Sequence, residues 1–191
     1  NTTIMAKKAA GMHSKNPGWK IGFTFNTRSL YQTIGSSIQD FYRDFSNGQD
    51  YDEENLEVLH AWGKNPTYTD PDEQAKGMYR KLARKAGIDP YRVSKNTPGF
   101  PSVNTHCADL VTSNKEIPEI YDAILIDEAQ DFGPAFYRMC YDALKEPKRL
   151  IWAYDEAQSL DKLTAPSPKI IFHEDDAEHR EVDLSGFYPG P

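Results

Sequence analysis

The sequence predicts an α/β protein built on a doubly wound parallel sheet, and three observations carry that expectation. Tyr121–Ile126 (YDAILI) is a continuous apolar run bounded by polar residues, the pattern of a strand buried on both faces. Short apolar runs of this kind alternate along the chain with stretches of helical periodicity. Each run ends in a polar residue, which gathers those residues at the carboxyl edge of the sheet, where open α/β folds bind ligands.

Taken in order, Asn1–Ala10 reads as a helix, with Ile4, Met5 and Lys8 spaced for one face and no strand or turn before it. Residues 19–25 (WKIGFTF) alternate into a strand, and a helix is expected over 28–45 from the spacing of Leu30, Ile34, Ile38, Phe41 and Phe45. After the polar turn 47–55, a second strand is expected at 56–61. From Gly63 the composition shifts to Pro, Gly, Asn and Lys around one helix, 71–86, with Asp70 as N-cap and Pro71 in the first turn. A helix at 134–144 joins the strand at 121–126 to another at 149–154. A late hairpin is expected from 169–172 and 181–184. The domain division that follows is an α/β domain over 1–62 and 106–185, a small mostly helical insertion over 63–105, and a linker over 186–191.

Composition removes several classes of function. The chain has 191 residues, 22 basic against 29 acidic side chains, a net charge of -7 and 38% hydrophobic residues. Its mean hydropathy is -0.71 and its longest aliphatic run is Ala123–Ile126, far below the roughly 20 residues of a membrane span. No membrane partner is expected. Two cysteines, Cys107 and Cys140, lie far apart with no CxxC spacing, which points to a reducing compartment such as the cytoplasm, with both thiols idle. The charge is uneven: residues 1–39 hold five basic side chains and no acidic one, whereas 174–183 hold six acidic residues and one Arg. Any polyanion site is therefore local.

The strongest chemical signal is Ile124–Asp131 (ILIDEAQD), an apolar strand that ends in two adjacent carboxylates. One such carboxylate can hold Mg²⁺ while its neighbour accepts a proton from an attacking water. A bare Asp-Glu pair after a strand is more often a solvated helix cap, but the longer string changes that balance. ILIDEAQD resembles the Walker B motif of superfamily 1 helicases of the UvrD/Rep type. Three further pieces resemble that family's motifs in the family's order: Phe23–Leu30 (FTFNTRSL) looks like motif Ia, Val58–Trp62 (VLHAW) like motif Ib, and Ala153–Leu160 (AYDEAQSL) like motif III.

The resemblance implies a RecA-like P-loop NTPase domain, the first motor domain of an ATP-dependent translocase or helicase on single-stranded DNA or RNA, with ATP and Mg²⁺ as cofactors. It assigns Asp127 to Mg²⁺, Glu128 to the general base, and Gln130, Asp155 and Gln158 to the metal shell or the γ-phosphate. Phe25, Asn26, Thr27, Arg28, His60 and Trp62 would lie along the nucleic acid. A basic stretch at 76–95, with seven Lys or Arg against one Asp and Lys76, Arg80 and Arg84 at helical spacing, matches the family's insertion. The phosphate loop GxxxxGK[ST] is absent; Thr2 or Thr3 would take the place of its metal-binding residue, so the chain is expected to begin inside that loop and to be inactive alone. The second RecA-like domain, the expected partner, is absent too. Motif III carries Tyr154 where the family has Gly and lacks the aromatic after the Gln, leaving Trp62 as the expected base-stacking ring. The alternative is a binding module for nucleic acid or protein that keeps this fold without ATPase activity.

Overall fold

The computed structural model describes residues 1–63, 77–88, 90, 103–154 and 171–172. Four strands form one sheet: β1 (Ile21–Phe25), β2 (Leu56–His60), β3 (Tyr121–Ile126) and β4 (Leu144–Trp152). Their order is β2-β1-β3-β4 and every pairing is parallel. Five helices accompany them among the described residues: α1 (Thr2–Lys15), α2 (Tyr31–Phe45), α3 (Met78–Lys85), α4 (Val103–Thr112) and α5 (Pro134–Asp142). The α/β class and the parallel sheet therefore stand as expected. Parallel strands need helical crossovers, and these crossovers wall off both faces of the sheet.

One wall is α1 and α2. Ile21, Phe23 and Phe25 alternate along β1 toward it and meet Ala6, Ala9, Ala10, Ile34 and Ile38. Alanines on α1 let that helix lie close to the sheet. The buried stripe of α1 is Met5, Ala6, Ala9, Ala10 and His13. Ile4, expected on that stripe, is instead 37% exposed. The other wall is α3, α4 and α5, whose Leu82, Cys107, Leu110, Phe136 and Met139 pack with Ile124 and Ile126 of β3. Because side chains alternate, Ala123 and Leu125 serve the first wall and Ile124 and Ile126 the second, and all four are fully buried. Burying both faces is what makes β3 read as an unbroken apolar run.

Several boundaries differ from expectation for local reasons. A turn of 3-10 helix at Arg28–Leu30 precedes α2, so the regular helix starts at Tyr31. The helix α4 has no strong signal, since Val, Asn, Thr, His, Cys and Asp are weak helix formers. β4 starts five residues early: Tyr121 pairs with Leu144 and Ala123 with Arg149, so the intervening residues form a bulge in which Lys148 has a φ of 47°. Of the expected insertion, residues 77–88 share the core of the second wall. Gly77 permits this, because a Cβ there would lie 2.2 Å from the Trp62 carbonyl. Arg80, placed by its spacing on the basic stripe with Lys76 and Arg84, is 2% exposed and its guanidinium lies 5.8 Å from the Trp62 ring. Ile171 and Phe172 are helical where a strand was expected. The remainder of the late hairpin, the linker, Lys76 and the start of the 71–86 helix lie outside the described residues.

Candidate active site at the carboxyl edge of the sheet

All four strands run the same way, so the residues that follow them share one edge. These are Asn26 after β1, the end of β2 at His60, Asp127 after β3 and Tyr154 after β4. The amino end of α1 lies at the same edge, where the Asn1 side-chain amide donates to the Tyr154 carbonyl at 2.8 Å. Thr2 rather than Thr3 faces Asp127; Thr3 is exposed.

The backbone holds the loop after β3 firmly. The Asp127 N–H donates to the Thr24 carbonyl at 2.9 Å and the Ala129 N–H to the Ala153 carbonyl at 3.0 Å, so β1 and β4 grip it from both sides. The Tyr137 hydroxyl of α5 donates to the Ala129 carbonyl at 2.6 Å. Between these anchors Glu128 takes the left-handed conformation, with φ 51° and ψ 46°. A non-glycine residue held there stores on the order of 1 kcal/mol or more, and such strain persists where surrounding structure imposes it. Gln130 sits in the following turn of 3-10 helix, Ala129–Asp131, partly buried.

The side chains at this edge are short of partners. Asp127 is fully buried, yet neither carboxylate oxygen makes a hydrogen bond of ordinary geometry among the described residues. Burial pushes its carboxyl above the usual aspartate range, opposed by the nearby Thr2 hydroxyl and the Glu128 N–H. The Glu128 Oε2 atom is also buried without a hydrogen bond among the described residues, and so is the hydroxyl of Thr24. Buried polar atoms are nearly always satisfied, so three such groups at one sheet edge mark it as the candidate site. Thr24 was missed in the sequence, although a polar residue inside the buried run IGFTF was a visible signal.

These donors fit a hard cation bound with phosphates. Mg²⁺ takes oxygen ligands and typically needs one or two carboxylates, a hydroxyl and the phosphates themselves. Asp127 and Thr2 offer that set, beside the positive end of a 14-residue helix. Among the described residues no cluster of three or more His, Cys, Asp or Glu gathers as an all-protein metal cage.

The expected nucleic-acid residues divide. Asn26 and Thr27 are exposed beyond β1, and Arg28 opens the 3-10 turn. Phe25 is not on the surface: it is fully buried, because the odd positions of β1 face the first wall. Trp62 is also core, 6% exposed, with Tyr79 stacked on it at 4.9 Å and 7°. Neither ring has a face to offer a base. Tyr31, at the start of α2 and 46% exposed, does. It was overlooked because its spacing resembled that of any helical residue. His60 has both ring nitrogens engaged with the backbone, by Asn26 on one side and by Trp62 and Gly63 on the other. Asp155 and Gln158 lie outside the described residues.

What fold and site define together is a parallel α/β protein with a paired, partly orphaned carboxylate site at the carboxyl edge of its sheet. Comparison with family models, with curated proteins and with solved structures gives no match. No helix among the described residues is long and apolar enough to cross a membrane.

Proposed function

We propose that this chain forms the nucleotide-site domain of a RecA-like, ATP-dependent motor on single-stranded nucleic acid, similar to superfamily 1 helicases. The observation that carries the reading is buried Asp127 beside half-buried Glu128: both Asp127 oxygens and Glu128 Oε2 make no hydrogen bond of ordinary geometry among the described residues, Glu128 is in the left-handed conformation, and Thr2 at the start of α1 lies next to them. Strain and unsatisfied burial at the same two residues are difficult to explain by stability and are expected of a site that completes itself on binding.

In this reading Asp127 and Thr2 hold Mg²⁺ on the nucleotide, and Mg·ATP supplies the phosphoryl group to be transferred. Glu128 accepts the proton of the attacking water at Oε2. Its left-handed backbone lets two successive residues leave β3 with different roles, one against the metal and one beside the water. Tyr137 and Ala153 keep that turn from relaxing. Asn26, Thr27 and Arg28 border the nucleic acid at the same edge, with Tyr31 as the exposed ring on which a base stacks. Of the basic residues in the acid-free stretch 1–39, Arg28 follows β1 at this edge and is the one offered to a phosphate, whereas Lys20 pairs with Glu57 at the other end of the strand.

The test is phosphate release by the full-length protein, with and without a single-stranded oligonucleotide. Wild type is expected to hydrolyse ATP and to be stimulated by the strand. Glu128→Gln removes the base but leaves Asp127, so turnover falls by a factor of roughly 10²–10⁴ while ATP is still bound. Wild-type turnover in Glu128→Gln would refute the assignment of the base. Absence of any Mg²⁺-dependent ATP binding by the wild type would leave the non-catalytic binding module as the better reading.

A further inference from the structure

The geometry points to His60 as a positioning residue that clamps the turn after β1 to the exit of β2, held as the neutral tautomer with its proton on Nε2. The Nε2 atom lies 2.6 Å from the carbonyl oxygen of Asn26. A carbonyl only accepts, so Nε2 must donate. The backbone N–H groups of Trp62 and Gly63 donate to Nδ1 at 3.1 and 3.0 Å, so Nδ1 must be bare. Two independent sets of partners thus select the same tautomer.

The ring plane is fixed as well, edge-on to Phe25 at 6.0 Å and 89°. The last backbone rung between these strands is the Ala61 N–H to the Phe25 carbonyl at 2.8 Å. The His60 side chain continues that ladder one residue further, where the backbone no longer can. A longer contact, the Asn26 amide to the Asp131 carboxylate at 3.4 Å, reaches on to the loop that carries Glu128. Asn26, just past β1, and residues 60–63, at the exit of β2, are therefore tied together and anchored through Trp62 in the core. His60 thus acts on bound nucleic acid through the turn at Asn26. This functional part rests on the proposed nucleic-acid reading; the clamp does not.

The experiment has two arms. Long-range ¹H–¹⁵N correlation on the full chain should show the His60 imidazole neutral at neutral pH, with Nε2 protonated and Nδ1 bare, and unchanged when an oligothymidine single strand is added. Anisotropy titrations of the same labelled oligonucleotide then compare wild type with His60→Gln and His60→Ala, after circular dichroism has established that each variant is folded. Glutamine offers both a donor and an acceptor, so it should keep affinity within about three-fold. Alanine leaves the Asn26 carbonyl and two N–H groups unpaired and should weaken binding by about ten-fold. A cationic or Nδ1-protonated ring, or glutamine binding as poorly as alanine, would overturn the clamp. If wild type does not bind the strand at all, the nucleic-acid reading fails while the tautomer spectrum still decides the clamp.

Discussion

Glu57, half-buried near the amino end of β2, and Asp127, fully buried just past the carboxyl end of β3, are acids against the same sheet, and their surroundings differ in kind. Glu57 receives the Tyr121 hydroxyl at 2.7 Å, the ammonium of Lys20 at 3.1 Å and that of Lys81. Beside it, Asp122 accepts the Lys20 backbone N–H at 2.8 Å and pairs with Lys145 at 3.1 Å. Burial would raise the Glu57 carboxyl, but these partners, Lys81 and Tyr121 foremost, hold it below the ordinary range. Asp127 has no such company among the described residues and burial raises it. Around Glu57 the amino edge pairs its charge, whereas at the carboxyl edge the Asp127 oxygens make no hydrogen bond of ordinary geometry among the described residues.

The contrast has consequences of opposite sign. Removing a partner from the amino edge strands buried charge, so Glu57→Ala should destabilise by about 3 kcal/mol, leaving Lys81 unpaired. That corresponds to roughly 6–12 °C in Tm for a domain of this size, read by calorimetry. Because the folded Glu57 carboxyl is depressed, its contribution is present above its unfolded value, about pH 4.3, and is lost as pH falls through the folded value. The wild type and Glu57→Ala should therefore converge in acid. A constant gap across pH would mean that Glu57 acts by packing alone.

Smaller and opposite is the effect expected at the strained turn. Glu128→Gly suits φ 51° without a Cβ and should raise stability by up to about 1 kcal/mol while abolishing hydrolysis. Chemical denaturation measures the first and phosphate release the second. A glycine variant that is both less stable and inactive would indicate that the left-handed turn is not strained.

Much of this was legible from the sequence, and for physical reasons. β3 was readable to the residue because burial on both faces demands an unbroken apolar run. Asp127 and Glu128 stood out in the sequence because two adjacent carboxylates end an apolar strand within the longer string ILIDEAQD. What was not legible depended on tertiary contacts. Trp62 and Phe25 looked available because sequence does not say which side of a strand exit is covered; α3 covers one and the first wall the other. That Arg80 of the basic stripe is buried beside Trp62 was not legible, because helical spacing does not reveal a neighbouring indole. The backbone contacts of His60 with Asn26, Trp62 and Gly63 were not legible, because backbone partners leave no sequence pattern.

The most direct test of the division between edges is the equilibrium stability of wild type and Asp127→Asn, each in EDTA and in excess Mg²⁺ with ATP. A raised carboxyl is a destabilisation that is present above its folded value and relieved below it, so at neutral pH without metal the asparagine should be the more stable protein by about 1 kcal/mol. With Mg²⁺ and ATP, wild type should gain and the variant should not, because only the carboxylate binds. An Asp127→Asn protein that is less stable than wild type in EDTA, with no change in the gap on adding Mg²⁺ and ATP, would contradict the claim that this carboxylate is held in reserve for a ligand.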